Sequence, residues 1–593
     1  LLDGAVVNIE LLRFPHGGIP ATGRVMEVLG RPGEMGVDIE IILRKHHIPH
    51  GFSPEVIAES ERVAMPPGEA VLAGRRDFRA LPIVTIDGET ARDFDDAVYA
   101  ERRPGGWRLQ VHIADVSHYV ARGGALDREA RLRGTSVYFP DRAIPMLPEA
   151  LSNEICSLKP GVDRLVMSAV MELDEQGEIT SADLTPGVIH SAARMTYTDV
   201  NKVLEEDTEA LARYAPLAPH FRTMRDLALV LNARRARLGS IDFDLPEAVI
   251  ELDLEGRMTG VTRSERNIAH RLIEEFMLAA NQAVAHFLQK RGLGFLSRVH
   301  EKPDARKVLE FEEIAHAFGY SLGIPGLAEK RLQVRHASVM PRGRDGRSAR
   351  GSRERPMFVS VPGAMEIDIR PEHYQRLAEK IAGKPEERIV SYLMLRSLKQ
   401  ARYAAEPLGH FALAFREYAH FTSPIRRYPD LIVHRVLKWT LEHGLQPKGA
   451  ENASGPYREV ALEELATETS DAERRAVAAE RELKEWKTAQ FMEGKLGEEF
   501  DALVISVQKF GFFVELLEIF VEGLVPINRL EEQTGERCVY RERDHAIVAQ
   551  PGHGSRRKQS TGAGLVWKLG DRIRVVAERI DPLRHRDEFG LPG

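Results

Sequence analysis

The stretch Val84-Thr-Ile-Asp-Gly-Glu-Thr-Ala-Arg-Asp-Phe-Asp-Asp-Ala-Val98 places several carboxylates close together in the chain. Residues 81–86 before them are rich in β-branched side chains, and residues 97–100 resume an extended pattern. This pattern predicts two strands joined by an acidic loop. The carboxylates are those of Asp87, Asp93, Asp95 and Asp96.

Carboxylates this close together repel one another, and each raises the pKa of its neighbours. A hard divalent cation removes the repulsion, and Mg²⁺ prefers such oxygen ligands while keeping waters and substrate phosphates in its shell. The stretch therefore predicts a site for one or two Mg²⁺ ions, with Mn²⁺ as a substitute. The alternative is a solvated acidic turn without chemistry. The predicted ligands are Asp87, Asp93, Asp95 and Asp96.

The composition describes a large globular protein. Its 593 residues are 43% hydrophobic and 29% charged, which predicts several domains. Because the net charge is −7, any binding of nucleic acid has to depend on local patches. Cys156 and Cys538 are the only cysteines in the sequence, which excludes a disulfide framework or a cysteine-rich zinc site and fits a reducing cytosol. With no signal peptide or apolar membrane span evident, we expect a cytoplasmic protein without a membrane partner.

The order of patterns along the chain predicts an α+β multidomain protein. Residues 1–60 alternate short strands and turns, which is typical of an OB-like or cold-shock-like β-barrel. Residues 61–497 read as a linker and a large mixed α/β body, residues 498–582 as a second small OB-fold barrel, and residues 583–593 as a tail. Since residue 1 is leucine, we expect the sequence to begin inside a longer protein.

Within the body, apolar residues at helical spacing predict long helices over 262–291 and from about 457 to 496. Gly292 provides the C-terminal stop of the first helix. Residues 341–356 are rich in arginine, glycine and serine, and we interpret them as a mobile surface loop.

Several polar residues outside the acidic stretch have ordinary structural explanations. His112, Asp115 and His118 lie along a predicted strand without obvious partners, and we interpret them as hydrogen-bonded structural residues. Glu274 and Glu275 fall in the first long helix, where a solvated or capping role is at least as good an explanation as a catalytic one.

A second motif, Ala419-His-Phe-Thr-Ser-Pro-Ile-Arg-Arg-Tyr-Pro-Asp-Leu-Ile-Val-His-Arg435, supplies fixed cations. Pro424 restricts the backbone ahead of Arg426 and Arg427, and Leu431 is predicted to start a helix. A planar, permanently charged guanidinium suits a pentacoordinate phosphate. The alternative is a capped helix start with solvent-facing arginines. The hydroxyl residues predicted to cap this helix are Thr422 and Ser423.

The C-terminal barrel contains Lys509-Phe-Gly-Phe-Phe-Val514. Exposed rings on a barrel face can stack on unpaired bases, and Lys509 adds charge for the phosphate backbone. Because strand neighbours point to opposite faces, at least one of Phe510, Phe512 and Phe513 must belong to the core.

Taken together, these motifs resemble the ribonuclease II and ribonuclease R family of exoribonucleases along nearly the whole chain. Thr85–Asp96 is similar to the catalytic aspartate motif of the family, and Phe421–Asp430 to its second signature. Arg298–Asp304 and Arg426–Asp430 are closer to ribonuclease R than to ribonuclease II. The resemblance implies a pair of cold-shock barrels, of which only the second falls in this sequence, followed by a catalytic RNB domain and an S1-type barrel.

The resemblance also implies roles for individual residues. Asp95 is the carboxylate most closely tied to the chemical step, Arg426 is the catalytic arginine, and Tyr138 stacks on the 3′ end of RNA, unless it is a core tyrosine beside Phe139. The implied catalytic set is Asp87, Asp93, Asp95, Asp96, Arg426 and Glu480. The implied RNA-binding residues are Tyr138, Arg427, Lys509, Phe510 and Phe513.

Two positions depart from the family pattern. Pro526 stands where the S1-type pattern usually has a histidine, which puts one RNA contact of the barrel in doubt. Residues 300–304 contain no second clamp aromatic of the kind expected in ribonuclease II, which puts a two-sided stack with Tyr138 in doubt.

The residues themselves predict metal-assisted hydrolysis of a phosphodiester. The resemblance implies the polarity, processivity and product, so we expect a processive, Mg²⁺-dependent 3′→5′ exoribonuclease that degrades single-stranded RNA to 5′-nucleoside monophosphates, as a monomer without a nucleotide cofactor. One competing function is that of a non-catalytic RNA-binding protein of the same architecture, against which the intact aspartates and Arg426 argue. Another is an aspartyl-phosphate phosphatase, since Asp93-Phe-Asp95 resembles a D-x-D nucleophile motif. That class needs a threonine shortly afterwards, where this chain has Asp96-Ala-Val98.

Overall fold

The N-terminal region is an antiparallel hairpin followed by helices. The computed structural model describes residues 3–242, 248–253, 255–325, 368–444, 456–550, 565–581 and 586–592. The first elements are β1 (Val6–Arg13), β2 (Thr22–Gly30), α1 (Val37–Lys45), α2 (Pro54–Val63) and α3 (Glu69–Ala73). Within the described part of residues 1–60, the sheet has two strands, and the rest of the predicted barrel region is largely helical. Helix α1 forms because its apolar residues recur at helical spacing and bury Ile39, Ile42 and Leu43.

A seven-stranded mixed sheet lies at the centre of the molecule, in the order β11-β4-β5-β6-β9-β10-β3. Strands β5, β6, β9 and β10 are antiparallel neighbours, whereas β11 runs parallel to β4. The short β7 and β8 form a separate hairpin. The strands are β3 (Arg76–Asp77), β4 (Val84–Asp87), β5 (Asp96–Arg103), β6 (Gly106–Ala114), β7 (Val137–Tyr138), β8 (Ala143–Ile144), β9 (Asp163–Asp174), β10 (Ile179–His190) and β11 (Ala193–Thr196).

Helices cover the sheet and bury the largest apolar core against it. Besides β7 to β11, the elements between β6 and residue 290 are α4 (Val116–Tyr119), α5 (Ala125–Arg133), a π-helix (Ala150–Ile155), α6 (Tyr197–Leu204), α7 (Thr208–Arg213), α8 (Ala218–Arg237), β12 (Ala248–Leu252), β13 (Met258–Arg263) and α9 (Ile268–Lys290). The helix predicted over 262–291 begins later, because Asn267 Oδ1 accepts the N–H groups of Ala269 (3.0 Å) and His270 (3.2 Å).

The second half of the body contributes a two-stranded sheet and further helices. These elements are β14 (Ser297–Val299), α10 (Ala305–Ala317), α11 (Pro371–Ile381), α12 (Glu387–Ser397), β15 (Arg402–Ala404), α13 (Tyr428–His443) and α14 (Glu459–Glu493). The predicted arginine-rich loop 341–356 lies outside the described residues. No helix within the described ranges is long and apolar enough to cross a bilayer.

The predicted start of α13 at Leu431, capped by Thr422 or Ser423, is wrong. The helix begins at Tyr428, with Pro429 in its first turn, and its N-cap residue Arg427 makes no side-chain cap. Asp430 Oδ1 instead accepts the backbone N–H of Ser423 at 2.8 Å, so a helix carboxylate fixes the preceding loop.

The C-terminal region contains a closed five-stranded barrel in the order β16-β17-β18-β23-β22. Its elements are β16 (Glu499–Gln508), β17 (Gly511–Leu516), β18 (Glu522–Pro526), α15 (Ile527–Thr534), β19 (Arg537–Arg541), a 3₁₀ turn (Glu542–Asp544), β20 (Ala546–Gln550), β21 (Val566–Lys568), β22 (Arg572–Asp581) and β23 (Arg586–Gly590). The predicted end of the barrel at residue 582 is too early. Strand β23 closes the barrel between β18 and β22, and Phe589 is buried in its core.

Candidate active site

The acidic stretch forms the predicted loop between two strands. Asp87 is the last residue of β4 and Asp96 the first of β5, while Asp93 and Asp95 lie between them. The loop is held near Asp95 by Ser157, whose hydroxyl donates to the Arg92 carbonyl (2.7 Å) and accepts the N–H of Phe94 (3.1 Å). This support fixes the loop from outside the acidic motif.

The second motif meets the first at Asp95. The backbone N–H of Ile425 donates to Asp95 Oδ1 at 2.8 Å, and Arg426 Nε lies 4.0 Å from Asp95 Oδ2. Arg426 also donates to Ser423 Oγ at 3.1 Å, and its side chain is 42% exposed. The predicted catalytic arginine and carboxylate are therefore neighbours, and Arg426 stays accessible to a substrate.

Buried carboxylate oxygens at this site lack hydrogen-bond partners. Among the described residues, one oxygen each of Asp87, Asp95 and Asp96 is buried and unpartnered. Burial raises the pKa of all three carboxyls, and Asp96 and Asp93 raise the pKa of Asp87 further. A cation relieves both the desolvation and the repulsion, so these residues fit a divalent metal.

The carboxylates form only a partial ligand set. No group of three or more potential metal-ligating side chains within the described residues is arranged to hold an ion alone. The predicted four-aspartate metal site therefore stays a prediction.

Tyr138 and Glu480 adjoin the acidic loop. The Tyr138 hydroxyl donates to Asp93 Oδ2 at 3.2 Å, and its backbone N–H donates to Glu480 Oε1 at 2.7 Å. The side chain of Tyr138 is exposed, whereas that of Phe139 is buried, so Phe139 rather than Tyr138 is the core residue. Glu480 therefore has the contacts of a residue that positions Tyr138.

Arg427 occupies a different environment from Arg426. Its Nη2 lies 2.8 Å from Oδ1 of the buried Asp430, and the two residues form an ion pair at the start of α13. Burial disfavours the charged form of Arg427, but Asp430 holds its pKa above the ordinary value. Its guanidinium lines the site but already has a carboxylate partner, so its predicted contact with RNA stays a prediction.

A cavity of about 500 Å³ contains the four aspartates and Arg426. The cavity is also lined by residues for which the sequence predicted no role in the site: Tyr197, His270, Asn281, Tyr418, His420 and Thr422. The rings of Tyr197 and His270 stack with centroids 4.0 Å apart. Asn281 accepts the Phe421 N–H at 2.8 Å and donates to the Tyr418 hydroxyl at 3.1 Å. Tyr197, His270 and Asn281 are single residues far from either motif and carry no local signal, whereas Tyr418, His420 and Thr422 lie in or next to the second motif.

The polar residues interpreted as structural have structural contacts. Asp115 is buried between Arg75 Nη2 (2.6 Å) and Lys438 Nζ (2.7 Å). Burial opposes its ionisation, but Lys438 and Arg75 together hold the pKa of Asp115 below its ordinary value. His112 Nδ1 lies 2.8 Å from Ser168 Oγ, and burial lowers the pKa of His112 to about 3.

Arginines outside helix α9 pair with both of its adjacent glutamates. Glu275 forms a buried ion pair with Arg235 at 2.8 Å, and Glu274 pairs with Arg266. The solvated or capping role expected for these glutamates is therefore wrong for Glu275, which is buried and ion-paired, whereas Glu274 is partly exposed and also lines the cavity.

The aromatic residues of the C-terminal barrel divide as strand alternation predicts. Phe512 is fully buried, whereas Phe510 is 55% exposed and meets the half-buried Phe513 edge to face, with centroids 6.1 Å apart. Lys509 is exposed beside them. A groove of about 800 Å³ runs between this face and α14, whose Arg481 lines it.

Three family models match consecutive parts of the chain. They are a cold shock domain over residues 1–53, an RNB domain over residues 75–443 and an S1 RNA-binding domain over residues 493–590. The RNB match contains both the acidic stretch and the motif of Arg426.

Similar proteins cover the chain from end to end. It is 39% identical over 592 residues to ribonuclease R of Aquifex aeolicus, spanning 100% of this chain and 75% of that protein. It is 38% identical over 591 residues to ribonuclease R of Escherichia coli, spanning 99% of this chain and 66% of that protein. The solved structure of Mycoplasma genitalium RNase R in complex with ribose-methylated single-stranded RNA matches with a TM-score of 0.81 and 25% identity, over 99% of this chain and 83% of that one. The chain therefore belongs to the ribonuclease R family of exoribonucleases.

Proposed function

We propose that the chain hydrolyses single-stranded RNA processively from its 3′ end and releases 5′-nucleoside monophosphates. The observation that carries this proposal is the meeting of Asp95 and Arg426 in a cavity lined by carboxylates with unpartnered oxygens. Family membership supports the coarser activity of a 3′→5′ exoribonuclease. Processivity and the monophosphate product are the finer part of the proposal.

The four aspartates of the acidic loop suit a Mg²⁺ ion that binds the phosphate of the substrate. When bound, Mg²⁺ polarises the phosphoryl oxygen and lowers the pKa of a coordinated water. Asp87, Asp93, Asp95 and Asp96 are the side chains that would hold it. The N–H of Ile425 fixes one oxygen of Asp95, which leaves the unpartnered Oδ2 for this role.

Arg426 supplies a cation to the reacting phosphate. Its guanidinium is partly exposed and bound to an uncharged hydroxyl, Ser423 Oγ, while its Nε is 4.0 Å from Asp95. It can therefore turn toward a phosphate without breaking a close ion pair. A planar guanidinium makes two parallel hydrogen bonds to phosphoryl oxygens, and these strengthen as negative charge develops.

The RNA strand meets aromatic rings at two places. The ring of Tyr138 beside Asp93 can stack on the terminal bases of any sequence, which sets the 3′ end against the acidic cluster. Phe510 and Phe513 with Lys509 form a second platform on the C-terminal barrel. Contacts to the 2′-hydroxyl would select RNA over DNA. We also propose that the protein acts as a monomer in the cytoplasm, where the free Cys156 and Cys538 would stay reduced.

An end-labelling experiment tests the function. The same single-stranded RNA, labelled at either its 5′ or its 3′ end, is incubated with Mg²⁺ or with EDTA. We expect Mg²⁺-dependent release of labelled mononucleotide at once from the 3′-labelled RNA, and progressively shorter fragments from the 5′-labelled RNA. Binding without cleavage would indicate a non-catalytic RNA-binding protein. Hydrolysis of p-nitrophenyl phosphate instead of RNA would indicate a phosphomonoesterase.

A further inference from the structure

Arg194 fastens the part of the acidic loop that Ser157 does not reach. It lies on β11, where it is paired in register with Thr85 of β4. Its Nη2 donates to the carbonyl oxygens of Gly88 (2.8 Å) and Glu89 (2.7 Å), the residues that directly follow Asp87. One guanidinium thus bridges two successive carbonyl groups at the start of the loop.

The same guanidinium touches the far end of the loop. Its central carbon lies 5.6 Å from the centroid of the Phe94 ring, between Asp93 and Asp95 in the chain. Arg194 therefore spans the loop from Gly88 to Phe94. The neighbouring Thr198 adds a separate tie, because its hydroxyl donates to Glu89 Oε1 at 2.6 Å.

The charge of Arg194 acts on the acidic cluster as well. Arg194 and Arg426 are the cations that oppose the repulsion exerted on Asp87 by Asp93 and Asp96. Arg426 is placed to face a substrate, whereas Arg194 is half-buried and held by backbone carbonyls. A cation bound to the backbone in this way balances the carboxylates without occupying their oxygens.

We propose that Arg194 is a positioning residue for the metal: it holds the acidic loop in the shape that a divalent cation requires. This inference rests on the proposed function, because it concerns the same ion. Arg194 has no contact with Arg426 or Tyr138 among the described residues. Its loss should therefore weaken metal binding more than RNA binding.

Metal affinity measured without RNA is the direct test. Mn²⁺ is titrated into the full chain and followed by electron paramagnetic resonance, for the unmodified protein, Arg194→Met and Arg194→Lys. Supporting residues behind metal ligands typically contribute about 10–100-fold in metal affinity, and we expect Arg194→Met to fall in this range. Arg194→Lys should be intermediate, because lysine keeps the charge but cannot bridge two carbonyls. Arg237→Met is the matched control, since Arg237 donates to the Gln176 carbonyl (2.9 Å) away from the site.

Two further readouts separate positioning from plain stability. In Arg194→Met, a higher Mg²⁺ concentration should restore most of kcat while KM for RNA stays within about twofold. Unchanged Mn²⁺ affinity with a lowered Tm would overturn the proposal and make Arg194 a structural residue.

If Arg194→Met does not fold, Thr198→Val loosens the same loop more mildly. In that case, the proposal would be overturned if both Thr198→Val and Arg194→Lys bound Mn²⁺ as tightly as the unmodified protein. Failure of the proposed function is separate, since it would show as an unmodified protein that does not cleave RNA.

Discussion

At the scale of residues, the candidate site combines a fixed carboxylate, Asp95, with a cation that is free to turn, Arg426. Asp95 is buried and fixed by the N–H of Ile425, whereas Arg426 is partly exposed and bound to a serine hydroxyl. A preorganised acceptor beside an adaptable donor suits a reaction in which charge develops on the phosphate.

Replacing Arg426 by lysine should separate catalysis from binding. Lysine keeps the positive charge but loses the two-pronged geometry. We expect kcat to fall by about 10²–10³-fold, the usual cost of one preorganised transition-state donor, with little change in Kd for RNA. Single-turnover rates and RNA binding in EDTA measure the two quantities. Equal losses in both would make Arg426 a cation that merely lines the RNA path.

Two substitutions of Tyr138 distinguish the contribution of its ring from that of its hydroxyl. Tyr138→Phe loses the hydrogen bond to Asp93 but keeps the stacking surface, whereas Tyr138→Ala loses both. We expect Tyr138→Ala to change the length of the final oligonucleotide, because a base stack is worth about 1–3 kcal/mol and matters most when few contacts remain. Tyr138→Phe should give the limit product of the unmodified protein. A destabilised Tyr138→Ala protein with an unchanged limit product would remove Tyr138 from the RNA path.

Much of the candidate site could be predicted at this scale, because its motifs are contiguous in sequence. The acidic stretch and the arginine motif were found from local spacing and resemblance. The contacts that organise them were not, because partners such as Ile425 for Asp95 and Glu480 for Tyr138 are separated by 330 and 342 positions. A single glutamate or histidine in a helix gives no local signal of such a contact.

At the scale of elements, α14 connects separate parts of the molecule. Glu480 accepts the N–H of Tyr138, Glu482 binds His46 after α1 at 2.7 Å, and Lys487 donates to the Gly256 carbonyl between β12 and β13 at 2.8 Å. Because Glu480 and Glu482 lie on different faces of α14, this helix contacts both the tyrosine strand and the N-terminal region.

The role of Glu480 can be separated from catalysis by two substitutions. Glu480→Gln keeps an oxygen acceptor for the Tyr138 N–H, whereas Glu480→Ala removes it. We expect Glu480→Ala to reproduce the altered limit product of Tyr138→Ala, and Glu480→Gln to behave like the unmodified protein. Comparing digests of all three variants checks this. A large loss of kcat in Glu480→Gln would instead place the carboxylate charge in the chemical step.

Two phenylalanines separated by one glycine, one in β17 and one in the turn before it, provide a matched pair in the C-terminal barrel. Phe510→Ala should weaken RNA binding, and steepen its loss with added salt, while leaving Tm unchanged, because the ring is exposed. Phe512→Ala should cost about 3–5 kcal/mol of stability, because the ring fills the barrel core. Salt-dependent binding and thermal unfolding measure the two effects. Loss of stability without loss of binding in Phe510→Ala would contradict the assignment of an RNA-binding face.

Element types could largely be predicted from periodicity, but their ends could not. The long helices were expected from apolar spacing, yet α9 starts where Asn267 caps it and α13 where Pro429 opens its first turn. The sequence does not reveal strand β23, because a short segment with several charged residues resembles a tail unless its pairing with β18 and β22 is known.

At the scale of the whole molecule, the chain carries a net negative charge, so we expect RNA to be bound by local groups of cationic and aromatic residues and not by the overall charge. The three family matches follow one another along the chain, and α14 leads from the body to the C-terminal barrel. The order of these regions could be predicted from sequence. Their packing could not, because it depends on contacts such as that between Lys487 and Asp38, which are far apart in the chain.

The most direct test of the central claim is the digestion of a 5′-labelled single-stranded RNA by the unmodified protein and by Asp95→Asn, followed over time on a sequencing gel with Mg²⁺. Asparagine keeps the shape of Asp95 and its acceptor for the Ile425 N–H but removes the charge. We predict fragments that shorten from the 3′ end for the unmodified protein, a rate lower by several orders of magnitude for Asp95→Asn, and RNA affinity that is retained or improved. Near-normal digestion by Asp95→Asn would contradict the assignment of this cluster as the active site.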